Sequence, residues 1–180
     1  MLTIVIPALE LWDEKNEVFI TLKERKLQLE HSLVSLSKWE SKWCKPFLTN
    51  HEKTYEETLD YIKCMTITQN VDDDVYQRLT KKHIDEIYEY IGAPMTATTF
   101  NEDKSSKNNK EVVTNELIYH WMIALNIPSE YQKWHLNRLL TLIRVCNIKS
   151  QPPKKMSNNE ILRNNSQLNA ARRKLLGTKG

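Results

Sequence analysis

Apolar positions are densest between Ser129 and Ile148. Wound as an α-helix at about 100° per residue, Tyr131, Trp134, Leu136, Leu139, Leu140, Leu142, Ile143, Val145 and Cys146 cover more than half of the circumference. Lys133, Asn137, Thr141 and Arg144 make the one narrow polar stripe. The pattern predicts a central, largely covered helix over 129–148, opened by a capping box of Ser129 and Gln132.

The rest of the chain alternates in shorter lengths. Leu2–Ile6, Val18–Leu22 and Leu27–Glu30 read as strands, with Asp13 to Asn16 as turn chemistry between the first two. A β-hairpin or three-strand meander follows, too small to stand alone and therefore expected to pack on the helices. Ser32 caps a helix carrying Leu33, Leu36, Trp39 and Trp43, closed by Pro46. Trp39 and Trp43 share a face, either as core anchors or as an exposed aromatic patch for a partner.

Thr54 and Glu57 box the start of a helix over about 55–69, and Asp72 starts a short one with Val75, Tyr76 and Leu79. Thr80 to Ile91 carries Ile84, Ile87, Tyr88 and Ile91 on one stripe and stops at Gly92. Ala93 to Lys110 is irregular: Pro94 to Phe100 reads as an extended segment held by Met95 and Phe100, the remainder as a mobile polar loop. Leu117 to Leu125 resumes helix up to Pro128. Gln151-Pro-Pro-Lys-Lys155 is a stiff break, after which Ser157 and Glu160 box a last helix to Leu176, stopped by Gly177.

This predicts a mainly α protein in three parts: an N-terminal β element over 1–31, a helical body over 32–148 and a basic helical arm over 149–180. Composition agrees. Apolar residues at 40% and charged ones at 27% suit a folded soluble chain, and three glycines in 180 residues are few for a β-barrel or a phosphate-loop enzyme. The first segment has no basic leader and its apolar run breaks at Pro7, so neither a signal peptide nor a membrane span is expected. Cys44, Cys64 and Cys146 sit in helical apolar patterns and read as buried free thiols.

Charge is divided unevenly. From Lys149 onward there are eight basic residues against Glu160 alone, a net +7, whereas residues 1–148 hold 18 basic and 22 acidic residues, a net −4. A basic arm on an acidic body is expected to meet an acidic partner or the body of another copy.

No reaction chemistry is legible. The five histidines form no metal-binding spacing, although His120 and His135 lie on consecutive helices and are candidates to approach each other. The triplet Asp72-Asp73-Asp74 lacks the alternating ligands and glycine of a calcium loop and suits a helix start instead. No nucleophile elbow, phosphate loop or dinucleotide fingerprint occurs, so no cofactor is expected. Lys154, Lys155, Arg172, Arg173 and Lys174 could neutralise phosphates, but no aromatic residue lies beyond Trp134 to stack on bases. Nucleic acid is thus the weaker expectation, and the same basic residues, with Trp39 and Trp43, are the candidates for binding a protein partner.

Ser32 to Phe47 (SLVSLSKWESKWCKPF), Gln132 to Ser157 (QKWHLNRLLTLIRVCNIKSQPPKKMS) and Leu168 to Gly180 (LNAARRKLLGTKG) resemble proteins encoded in the tail modules of long-tailed bacteriophages. The likeness runs through DYIKCMTITQNVDDDVY and PMTATTF as well. That group resembles phage tail assembly chaperones. The resemblance implies a protein that binds the tape measure protein, keeps its apolar helices from aggregating and helps recruit tail tube subunits in the host cytoplasm, with no catalytic residue. A minor structural component of a phage tail or head would share the same physical features.

Overall fold

The structure, a computed structural model, describes residues 1–14, 17–49, 52–100, 112–150 and 158–177. It is mainly α, with β-structure confined to the N-terminus among the described residues. The chain divides into two compact units, Met1–Asn147 and Ile148–Gly180.

The first unit opens with four strands: β1 (Leu2–Ile6), β2 (Leu9–Asp13), β3 (Val18–Leu22) and β4 (Arg25–Leu29). β1 pairs antiparallel with β4 and β2 with β3, and Leu2↔Leu29 and Leu9↔Leu22 keep a single register. The four strands are therefore one long two-stranded hairpin, interrupted at Pro7-Ala8 and Lys23-Glu24. Proline has no N–H to give the ladder, which accounts for the interruption. β2 was not expected from the sequence, because its Leu-Glu-Leu-Trp-Asp run follows that proline directly.

Seven α-helices follow among the described residues: α1 (Leu33–Trp43), α2 (Tyr55–Met65), α3 (Asp73–Gln77), α4 (Lys81–Gly92), α5 (Asn115–Ala124), α6 (Leu136–Ser150) and, in the second unit, α7 (Asn158–Leu176). Capping boxes open α1 at Ser32, α2 at Thr54 and α4 at Thr80. α2 stops at Met65, four residues earlier than expected. Thr66 turns extended and bridges Leu29, and Ile67 N–H donates to the Gln28 carbonyl at 2.8 Å, so this segment covers the outer edge of β4.

The central helix is α1, not 129–148. Ile4, Ile6, Leu27 and Leu29 of the inner hairpin are buried in one core with Leu33, Leu36 and Trp39 of α1 and with Ile62, Met65, Ile118, Leu136 and Leu139. The expected long helix is divided: Ser129–Lys133 is a 3-10 turn with no side-chain cap, Trp134 is extended, and His135 bridges Ser32 before α6 begins. Only Leu136, Leu139 and Ile143 of α6 are buried, and Val145 and Cys146 are half-covered. Its wide apolar arc is left partly open because a cavity of about 460 Å³, lined by Trp121, Leu125, Leu140 and Ile143, lies between α5 and α6.

The expected mobile loop at 101–110, the Gln151–Lys155 break and the Ser157 capping box lie outside the described residues. Phe100, at the end of the irregular segment, lies under the guanidinium of Arg144 at 4.1 Å.

Candidate functional site

Alternation in the hairpin changes phase at Pro7. In β1 the apolar even-numbered residues Leu2, Ile4 and Ile6 face the core, with Leu27 and Leu29 opposite. In β2 and β3 the aliphatic residues occupy the other face. Leu9 and Leu11 stand across from Leu22 and Ile20, and Val18 continues the row. Side chains alternate strictly along a strand, so the two halves cannot present their aliphatic rows to the same side. The inner half is buried; the outer half leaves Leu9, Leu11, Val18 and Ile20 between 43% and 50% exposed.

The opposite face of the outer hairpin is aromatic. Trp12 and Phe19 are a cross-strand pair with ring centroids 4.8 Å apart, and Phe19 is exposed over 70% of its surface. Single exposed apolar residues are ordinary, but a contiguous row bordered by charge marks a contact surface. Residues 9–22 carry a net −3, and Glu10, Glu14 and Glu17 are exposed beside the row.

Arg78, just beyond α3, fixes the elbow from which this surface projects. Its Nη1 donates to the carbonyls of Pro7 at 3.1 Å and Lys23 at 3.3 Å, which lie at the two interruptions of the ladder. A 3.6 Å ion pair with Asp74 holds the guanidinium in place. Arg25 adds a bond to the Asn70 carbonyl at 3.1 Å. The backbone groups freed by Pro7 are thus taken up by a charged donor, and the outer hairpin leaves the body at a defined place.

Of the residues predicted to bind a partner, the structure gathers few. Trp39 is fully buried, and its indole N–H donates to the Glu57 carbonyl at 2.9 Å, so the expected exposed aromatic patch does not include it. Trp43 is half-buried, stacked on Trp39 and bonded to Asp60 Oδ2 at 3.0 Å, on the wall of a cleft of about 400 Å³. The charges in that cleft answer each other: Lys42 pairs with Asp60, and Lys63 with Asp73 at 2.6 Å. Arg172, Arg173 and Lys174 are exposed on α7 of the second unit, and Lys154 and Lys155 lie outside the described residues.

The titratable groups were also placed differently than expected. His135 approaches His31, with ring centroids 5.1 Å apart, whereas His120 is exposed. Asn137 N–H donates to His135 Nδ1 at 3.3 Å, so Nε2 carries the proton and donates to the Tyr90 carbonyl at 3.0 Å. His31 Nδ1 and the Tyr61 hydroxyl share a hydrogen bond of 2.5 Å. Burial, and then the neighbouring His135, pushes the His31 pKa down to about 3, and burial also lowers that of His135. A neutral imidazole pair closed inside the core serves packing and hydrogen bonding.

Glu40 is likewise structural. Its Oε1 accepts from Phe47 N–H at 2.7 Å, and its Oε2 from the backbone and side-chain amides of Asn115 at 2.8 and 2.7 Å. No disulfide joins the cysteines, and Cys44 is exposed in the left-handed turn that ends α1, a correction to the expected burial. Among the described residues no group of three or more His, Cys, Asp or Glu could hold a metal, and no helix is long and apolar enough to cross a membrane.

No family model, curated protein or solved structure matches the chain.

Proposed function

We propose that this protein is a phage tail assembly chaperone that binds apolar helices of the tape measure protein in the host cytoplasm, with no catalytic step. The observation that carries the reading is the uncovered apolar row Leu9, Leu11, Val18 and Ile20, backed by Trp12 and Phe19 on a hairpin braced at its elbow. A holder of aggregation-prone helices needs apolar surface that it does not bury itself, on a scaffold stable without the client. The acidic border adds a preference: client helices flanked by Lys or Arg are favoured over acidic ones. The resemblance of Ser32 to Phe47 and Gln132 to Ser157 to tail-module proteins supplies the identity of the client, and the tail tube protein is the second partner it implies.

The test is co-expression with the tape measure gene of the same genome. Stable co-purification, with the client insoluble when expressed alone, is the expected result, and Leu11→Ser with Ile20→Ser should abolish the rescue. Recovery of this chain from mature particles by mass spectrometry, with no effect on client solubility, would overturn the proposal in favour of a minor structural component.

A further inference from the structure

α2 and α4 do not close completely on each other. Between them, within the first unit, lies a cavity of about 130 Å³ walled by Ile62 of α2, by Ile84, Ile87 and Ile91 of α4, and by the stacked rings of Phe47 and Tyr61, whose centroids are 3.9 Å apart. Isoleucine is branched at Cβ and holds one strongly preferred χ1 in a helix, so these walls do not turn inward to fill the space. Tyr88 lines the cavity beside Thr58 and is 51% exposed, which marks its mouth to solvent. The two hydroxyls there are 3.3 Å apart.

A single charged group stands in this apolar lining among the described residues, the side chain of Lys53. Its Nζ lies over the Phe47 ring, 4.2 Å from the centroid, and burial lowers its pKa from the ordinary lysine value against the opposing pull of Glu57. Among the described residues Lys53 forms no ion pair. The Glu57 carboxylate is engaged elsewhere: Oε1 accepts from Lys45 Nζ at 2.6 Å and Oε2 from Thr54 N–H at 2.8 Å. A partly desolvated cation with no anion of its own gains most from a ligand that brings one.

We propose that this cavity binds a small monocarboxylic acid, with its branched alkyl or phenyl group between α2 and α4 and its carboxylate on Lys53. Size limits the apolar part. An apolar cavity of about 150 Å³ admits benzene, so one of about 130 Å³ takes a branched alkyl group or a single ring and excludes a long acyl chain. Charge selects the head group, because the Lys53 ammonium favours an anion over an amine, and the Thr58 and Tyr88 hydroxyls are further hydrogen-bonding groups on the same lining. The site shares no residue with the outer hairpin and does not depend on a client.

Titration of the isotope-labelled full chain with isocaproate at neutral pH, followed through its backbone amide shifts, tests this directly. Saturable shifts at Thr58, Ile84 and Tyr88 are expected, with a dissociation constant of about 1 mM or less for a ligand of this size. Isocaproamide, the uncharged isostere, and isohexylamine should each bind about tenfold or more weakly, as loss of a charge-assisted hydrogen bond implies. Lys53→Met keeps the length of the side chain and removes the ammonium. It should weaken isocaproate by the same factor, leave isocaproamide unchanged, and melt as the native chain does. Octanoate should bind no more tightly than isocaproate. The absence of a saturable shift, shifts confined to other parts of the chain, equal affinity for acid and amide, equal affinity of the native chain and Lys53→Met for the acid, or tighter binding of octanoate would each overturn the proposal.

Discussion

At the residue scale the buried polar groups make the sharpest statements about stability. His31 is 2% exposed and is neutral in the folded state because burial holds its pKa near 3, whereas in the unfolded chain it titrates near the ordinary value of 6.5. Between those values the unfolded state binds more protons, so stability is fully present above pH 6.5 and falls as the pH drops toward 3. The loss from this group should reach about 3 kcal/mol by pH 4, at about 1.4 kcal/mol per pH unit, and His135 adds to it in the same direction. Thermal melts of the native chain from pH 7 to pH 4 should show it, and His31→Gln should flatten the curve over that range. Glu40→Ala should cost about 2–5 kcal/mol in a denaturant melt, since it leaves three amide donors of Phe47 and Asn115 without their acceptor. Neither group could be read from the sequence. Glu40 meets Asn115 across 75 residues and His31 meets His135 across more than a hundred, and no periodicity encodes such a contact.

At the scale of elements, local signals were dependable where the chain itself supplies the partner. Ser32 and Thr54 cap the helices that their spacing indicates, because the bonded group lies three residues away. Ser129 and Gln132 have the same spacing, yet Ser129 makes no cap. Tertiary pairing of His135 with Ser32 holds the chain extended just before α6. The breadth of the apolar arc over 129–148 likewise misplaced the centre of the domain, since arc width measures what could be buried and not what is. The outer hairpin was legible in principle through the change of phase at Pro7, but judging it by size alone sent the whole element onto the helices. Two substitutions separate its halves. Leu27→Ala in the inner half should cost about 2–5 kcal/mol through lost burial and a cavity, while Leu11→Ser with Ile20→Ser in the outer half should stay within about 1 kcal/mol of the native chain in the same melt. A large loss from the outer pair would mean that this row holds the fold together and is not free to bind.

At the scale of the molecule, the division into Met1–Asn147 and Ile148–Gly180 places the described core in the first unit. Among the described residues every buried apolar one, from Ile4 to Ile143, belongs to the first unit, and every described side chain of α7 is exposed. The Pro152-Pro153 break and the shift from net −4 to net +7 are what suggest a division at Lys149 in the sequence, because chain stiffness and charge are properties of composition and need no fold to be read. What composition did not reveal was that Ile161, Leu162, Leu168, Leu175 and Leu176 are all exposed on one continuous helix from Asn158 to Leu176. A chain ending at Ser150, which keeps α6 whole, should therefore retain a single cooperative transition. Its midpoint should lie within about 1–2 °C of the full chain under dilute conditions, since removing exposed groups alters stability by about 0.5 kcal/mol or less and a domain of this size shifts by about 2–4 °C per kcal/mol. Differential scanning calorimetry of the two chains side by side measures this, and a broad or non-cooperative melt of the shorter one would show that the arm completes the core.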